Sequence, residues 1–293
     1  MAAARRQLDR RPGAGAGPEP EEGPGEQPLS QSVPGRAPGG SAAGTLPLPQ
    51  PLPQPWRIER LRLCCSTENE LDRRLQTGAS APLVVLADRQ SRGRGQQGRP
   101  WSSPRGGVWL SAALPWPEQA SPTATAALGL AVAVGLTREL EALGLAIRIK
   151  WPNDLLIGER KLAGLLPRLR RRGPRIALAR VGIGLNGWNR VPPGAINLAE
   201  ALAARPGNRL GSAGAHWLAD PLPLSARVLR ALDWACAMAA EAELVRAEAQ
   251  QRLWLPAPAI AHAGELWQAE GLGLDGSLVI GRAGESRALH RLF

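Results

Sequence analysis

Lys150-Trp151-Pro152-Asn153-Asp154-Leu155-Leu156-Ile157-Gly158-Glu159-Arg160-Lys161-Leu162-Ala163-Gly164-Leu165-Leu166 is the stretch from which the rest of the chain can be read. The 293-residue sequence holds 36 Lys plus Arg, and only Lys150 and Lys161 among them are lysines. Arginine supplies the positive charge everywhere else. Lysine is a compact, strongly hydrated point charge whose pKa responds to burial, whereas arginine is a planar fork. Two lysines flanking Asn153 and Asp154 therefore point to a site for an anionic substrate; the alternative is chance survival in an arginine-rich composition. Residues 146–151 read as a strand, and Pro152-Asn153-Asp154 turns at its end. Asp154 has three open readings: a Mg²⁺ ligand, a group that orients Lys150, or a turn carboxylate bonding its own backbone. Lys161 precedes the apolar run Leu162–Leu166, which puts its ammonium at the edge of a core.

Upstream, Leu83–Ala87 and Val108–Leu114 are short apolar runs that read as buried strands. Between them lies a loop, Gln90-Ser91-Arg92-Gly93-Arg94-Gly95-Gln96-Gln97-Gly98-Arg99-Pro100-Trp101. Its glycines let backbone amides approach an anion, and its arginines add forked donors suited to phosphate and carboxylate. It lacks the Lys-Ser/Thr ending of a P-loop and the context of a dinucleotide fingerprint. Ser66-Thr67-Glu68 resembles a helix start, with hydroxyls available to cap free amides. The Ala- and Leu-rich run 123–143 predicts a buried helix ended by Gly144. Downstream, Val181-Gly182-Ile183-Gly184-Leu185-Asn186 is a strand with alternate side chains missing, which admits a ligand or another backbone. Residues 222–250 read as one helix, and from about 255 short glycine-punctuated strands suggest a small β-domain.

Composition narrows the function classes. A hydrophobic content of 44% supports a substantial core, and the formal charge of +11 favours an acidic partner such as a nucleotide, a nucleic acid or an acidic protein. Cys64, Cys65 and Cys236 have no paired metal spacing and read as small core residues in a reducing compartment. His216, His262 and His290 are scattered, which argues against histidine general-base chemistry. No run reaches the ~18 apolar residues of a membrane span, and the first residues lack a hydrophobic signal core. The expectation is a cytoplasmic protein. Residues 1–55 carry 12 of the 28 prolines and balance five arginines with five acids, so the net charge belongs to the body. Such a segment buries too little apolar surface to offset its ordering entropy and reads as a disordered tail.

Three motifs, taken in order, resemble the biotin–protein ligase family: Gln90-x-x-Gly-Arg-Gly-x-x-Gly-Arg-x-Trp101, then Lys-Trp-Pro-Asn-Asp followed by Lys-Leu-Ala-Gly, then Val-Gly-Ile-Gly-Leu-Asn186. The resemblance implies an α+β fold: a biotin/lipoate ligase catalytic domain, similar to class II aminoacyl-tRNA synthetases, over residues 56–250. A small SH3-like β-barrel would follow over 251–293. It also implies a two-step reaction, in which biotin and Mg²⁺-ATP give biotinyl-5′-AMP and a lysine of a biotin carboxyl carrier protein then takes the biotinyl group. By resemblance, Ser66, Thr67, Glu68 and Gln90 line the ring end of biotin. Gly93, Arg94, Gly95 and Gln96 close over its carboxylate and the phosphate. Lys161 bonds that carboxylate and, with Arg94, stabilises charge at phosphorus, while Gly164 completes the wall. Lys150, Asn153, Asn186 and Trp101 face the nucleotide, with Asp154 a candidate at the metal.

The chain departs from the family pattern at three places. Glu68 stands where Asn is frequent, Gln96 replaces an arginine, and Arg168 lies where an acid usually follows the Leu-Ala-Gly strand. The C-terminal portion looks short of a closing strand. No helix-turn-helix precedes the catalytic region, so a DNA-binding repressor role is not expected, nor is a membrane partner. The carrier of acetyl-CoA carboxylase is the expected acceptor, and a homodimer stays open. The rival readings are a lipoate–protein ligase and a basic nucleic-acid-binding module, whose binding would fall steeply with salt.

Overall fold

The computed structural model describes residues 55–117, 127–173, 175–207, 211–255 and 259–290. The first elements are β1 (Arg57–Leu61), α1 (Thr67–Gln76), β2 (Leu83–Ala87), β3 (Gln90–Arg94), β4 (Pro100–Ser103) and β5 (Val108–Leu114). Next come α2 (Leu128–Glu141), β6 (Arg148–Lys150), β7 (Asp154–Ile157), β8 (Arg160–Arg172) and β9 (Arg175–Leu185). Four helices follow: α3 (Leu198–Ala203), α4 (Gly211–Leu218), α5 (Pro221–Ala237) and α6 (Ala242–Gln251). Short strands end the described chain, β10 (Leu253–Trp254), β11 (Ala259–His262), β12 (Glu265–Leu272), β13 (Leu278–Arg282) and β14 (Glu285–Leu289). The tail expected over residues 1–55 lies, but for Pro55, outside the described residues.

Eight strands form one mixed sheet in the order β1-β2-β5-β9-β8-β7-β6-β10. The outer pairs, β1 with β2 and β6 with β10, are parallel, and all pairs between them are antiparallel. The apolar runs explain the centre: all seven residues of β5 are buried. Helix α2, buried on nearly all sides, lies against β8, where a Cβ at Gly129 would come 3.1 Å from Pro167 Cγ. It also meets α5 closely, because a Cβ at Gly135 would sit 2.5 Å from the Ala231 carbonyl oxygen. Gly144, at φ +77°, follows the end of α2, as its position in the sequence predicts. Since Pro167 faces α2, strand alternation turns Gly164 and Leu166 to the opposite face of the sheet. That face carries α1 and the β3–β4 pair.

Several local expectations change. The single helix predicted over 222–250 is two, α5 and α6, broken at Met238–Glu241. Helices α3 and α4 had no strong periodic signal. The strand predicted over 146–151 shortens to Arg148–Lys150, because the chain turns through a cis Trp151–Pro152 bond. Lys161 lies within β8 rather than before it, since pairing with β7 begins at Arg160. The basic loop is a hairpin, β3 paired antiparallel with β4, with a 3₁₀ turn Gln96–Gly98 at its tip. Ser66 is the N-cap residue of α1, yet its side chain makes no capping hydrogen bond. Cys64 and Cys236 are buried as expected, but Cys65 is exposed. The C-terminal strands pair in sequence as an antiparallel sheet, β11-β12-β13-β14, and no β14–β11 pairing closes it into a barrel among the described residues.

Candidate active site

A cavity of about 310 Å³ opens on the face of the sheet opposite α2. Its floor is the adjacent strands β8 and β9, where Gly164 is the register partner of Gly184 and Leu166 of Gly182. Three missing side chains on one face make a flat trough. The indole of Trp101, delivered by β4, lies in it: a Cβ at Gly184 would collide with the ring, and one at Gly164 would come within 2.9 Å. The alternation Val-Gly-Ile-Gly signals close approach in the sequence, and the structure shows that Trp101 approaches Gly184 and Glu68 approaches Gly182.

One end of the cavity is neutral, polar and tied together. Gln90 Oε1 accepts from the Thr67 backbone N–H at 2.7 Å and from Thr67 Oγ1 at 3.1 Å. Its amide Nε2 donates to Ser103 Oγ at 2.8 Å, and Thr67 Oγ1 lies 2.8 Å from Ser111 Oγ. Ser66, Thr67 and Ser111 are all buried. Ser103 and Ser111 were missed in the sequence. Ser111, a lone hydroxyl inside an otherwise apolar strand, carried the available signal. Glu68 is 7% exposed, and its Oε1 has no hydrogen-bond partner. Burial pushes its carboxyl above the ordinary range, while the nearby Ser111 hydroxyl and the Arg180 and Arg168 charges pull the other way.

The other end is charged and open. Lys161 Nζ pairs with Asp154 Oδ1 at 2.7 Å and sits 4.9 Å from the centre of the Trp101 ring. Glycines, indole and ammonium thus meet at this end of the trough. Arg94, Gly95, Gln96 and Arg99 of the hairpin border the same cavity. Arg94 is exposed and has no ion-pair partner among the described residues. Asn153 and Asn186 line the wall, but their side chains serve the backbone first. Asn153 Nδ2 donates to the Leu165 carbonyl at 2.7 Å; Asn186 Nδ2 donates to Ile196 O at 3.2 Å and its Oδ1 accepts from Asn189.

Two predicted site residues lie off the cavity. Lys150 is exposed at the end of β6, with Nζ 5.1 Å from the centre of the Trp254 ring. Gly93 is buried behind the hairpin, where a Cβ would meet the Trp101 carbonyl oxygen at 2.5 Å and Ser103 Oγ at 2.7 Å. Its role is to let β3 and β4 close. Asp154 pairs with Lys161 rather than with Lys150. No group of three or more His, Cys, Asp or Glu side chains among the described residues is placed to hold a metal ion. The donor set therefore makes no protein-built Mg²⁺ cage. None of the three histidines borders the cavity: His216 stacks on Trp188, His262 meets Trp267 edge-on, and His290 faces Asp275.

The model of the biotin/lipoate A/B protein ligase family matches residues 62–186, the span that builds this cavity. Over these residues the chain is similar to that family. It is 34% identical over 155 residues to the bifunctional ligase/repressor BirA of Bacillus subtilis, covering 51% of this chain and 47% of that protein. It is 38% identical over 119 residues to the biotin–[acetyl-CoA-carboxylase] ligase of Paracoccus denitrificans, covering 39% of this chain and 48% of that protein. The chain thus spans about half the length of the curated relatives it matches. Among solved structures, the biotin protein ligase from Aquifex aeolicus in complex with biotin and ATP superposes with a TM-score of 0.60 at 22% identity, over 80% of this chain and 95% of that one. That likeness supports the α+β fold assigned above. Among the described residues no helix is long and apolar enough to cross a membrane.

Proposed function

We propose that the chain is an ATP-dependent biotin–protein ligase, acting as a biotin–[biotin carboxyl carrier protein] ligase. The observation that carries this reading is the cavity itself, a closed polar pocket at one end and a lysine held between a carboxylate and an indole at the other. An acid with a polar ring head and a carboxylate tail, lying along the glycine trough, meets both. In the first step the biotin carboxylate oxygen attacks the α-phosphorus of ATP, and pyrophosphate leaves. Two anions must meet, so the site has to supply preorganised positive charge. Lys161 supplies it beside the trough, with Asp154 fixing its position. Arg94, exposed on the hairpin, supplies a second donor as the hairpin closes over the reactants and excludes water from the acyl-adenylate. In the second step a carrier lysine amine attacks the acyl carbon, and AMP leaves. Mg²⁺ would arrive on the nucleotide phosphates, and the roles above are derived without it. The names of the relatives support the acetyl-CoA carboxylase carrier as acceptor. The division into a tail (1–55), a catalytic domain (56–250) and a C-terminal domain (251–293) belongs to the same reading. Biotin-dependent release of pyrophosphate from ATP, with lipoate as a control acid, tests it; no release with biotin would remove it.

A further inference from the structure

The two strands that floor the trough continue past it. Beyond Leu166 and Gly182, the same face carries Arg168 and Arg170 on β8 and Arg180 and Leu178 on β9, with Arg168 the register partner of Arg180 and Arg170 of Leu178. These residues border a second cavity of about 340 Å³, whose other wall is α1 through Asp72, Leu75 and Gln76. Like charges directly opposite one another in a sheet are destabilising, so each guanidinium calls for a counter-charge. Helix α1 offers polar side chains at one-turn intervals, because Glu68, Asp72 and Gln76 are four residues apart and share a face. Glu68 Oε2 lies 4.0 Å from Arg168 Nε, and Asp72 pairs with Arg180. At the third step the acid is missing. Gln76 is neutral, and the exposed Arg170 has no ion-pair partner among the described residues. Along the lining, three guanidiniums are set against one carboxylate, that of Asp72, an excess of two positive charges. Leu75 and Leu178 pack on the core of Leu71, Leu83, Val85 and Ala113, which gives the cavity a fixed apolar side.

We propose that this second cavity binds a small phosphate monoester. Forked guanidinium donors match phosphate oxygens. A monoester carries close to two negative charges near neutral pH, which offsets the excess, whereas a single carboxylate offsets half of it. The carbon part of the ligand lies on Leu75 and Leu178, and the volume falls in the range of small-molecule sites, about 300–1,000 Å³. The site stands apart from the ligase reading, because its lining includes none of the residues assigned to biotin or ATP.

Titration calorimetry on the full chain tests this at about pH 8, where a monoester is a dianion. Phenyl phosphate is the probe, with benzoate and inorganic phosphate as controls. Wild type should bind phenyl phosphate more tightly than either control. Arg170→Gln should weaken that binding by about 10- to 100-fold, the range for hydrogen bonds between charged groups. Gln76→Glu, which supplies the missing carboxylate and keeps all three arginines, should weaken it comparably, and a melting temperature no lower than that of wild type separates this loss from unfolding. Lys161→Ala should leave it unchanged, because the first cavity takes no part. No binding by wild type, equal binding of benzoate, one affinity shared by wild type and both cavity variants, or loss of binding in Lys161→Ala overturns the proposal.

Discussion

The two ends of the cavity are built on opposite principles. At the neutral end, Thr67, Gln90, Ser103 and Ser111 satisfy one another before any ligand arrives. At the charged end, the Lys161 side chain is 34% exposed and the hairpin arginines reach into solvent. A rigid, buried hydrogen-bond network suits recognition of a fixed neutral head group. An accessible cluster of cations suits reactants whose charge is redistributed during reaction. On the proposed function, recognition and chemistry would be separated along one trough, and mutations at the two ends should fail differently.

The largest effect belongs to the charged end. Lys161→Ala is expected to slow biotin-dependent pyrophosphate release by roughly 100-fold or more, the scale of losing one preorganised donor at a developing charge. Biotin affinity should fall much less. Parallel rate and calorimetric measurements separate the two, and an equal loss in both would erase the distinction between the ends. At the neutral end the order reverses. Gln90→Ala leaves the Thr67 N–H and the Ser103 hydroxyl without their partner, at a cost of about 1–3 kcal/mol. It should lower thermal stability and biotin affinity together, with a smaller change in the rate at saturating biotin.

The third prediction concerns pH. Burial holds the Glu68 carboxyl above the ordinary glutamate value of 4.5, so the folded state binds its proton more readily than the unfolded state does. Ionisation thus works against the fold, and this loss sets in as pH rises from the unfolded value through the folded one. Glu68→Gln removes it. Melting curves should show the variant gaining on wild type between pH 4 and pH 8, and a constant difference across that range would refute the burial argument. The smallest effect is expected at Lys150. Its contact with Trp254 is an exposed cation–π pair worth about 0.5–1 kcal/mol, so Lys150→Met should change the pyrophosphate rate by only a few-fold. A loss comparable to that of Lys161→Ala would extend the charged end beyond the cavity walls.

These contrasts also show what the sequence makes legible. Leu83–Ala87 and Val108–Leu114 are strands at the predicted bounds, because continuous apolar runs between turns have few other solutions. The break between α5 and α6 was hidden, because Met238-Ala239-Ala240-Glu241 holds no glycine or proline to announce it. At the site, thirteen of the fifteen candidate residues border one cavity, and the roles of the two that do not, Lys150 and Gly93, depend on tertiary placement. Motif spacing puts Lys150 and Lys161 together in the chain; only the β6–β7–β8 pairing shows that one faces the trough and the other Trp254. The exchange of partners by Asp154 has the same origin.

The indole of Trp151 donates a hydrogen bond to the carbonyl oxygen of Gly276 at 2.9 Å, a reach of 125 residues along the chain. Asn153 and Asp154, two and three residues further on, form part of the cavity wall. The turn between β12 and β13 therefore acts as a buttress for that wall, tying the C-terminal sheet to the segment that carries Asn153 and Asp154.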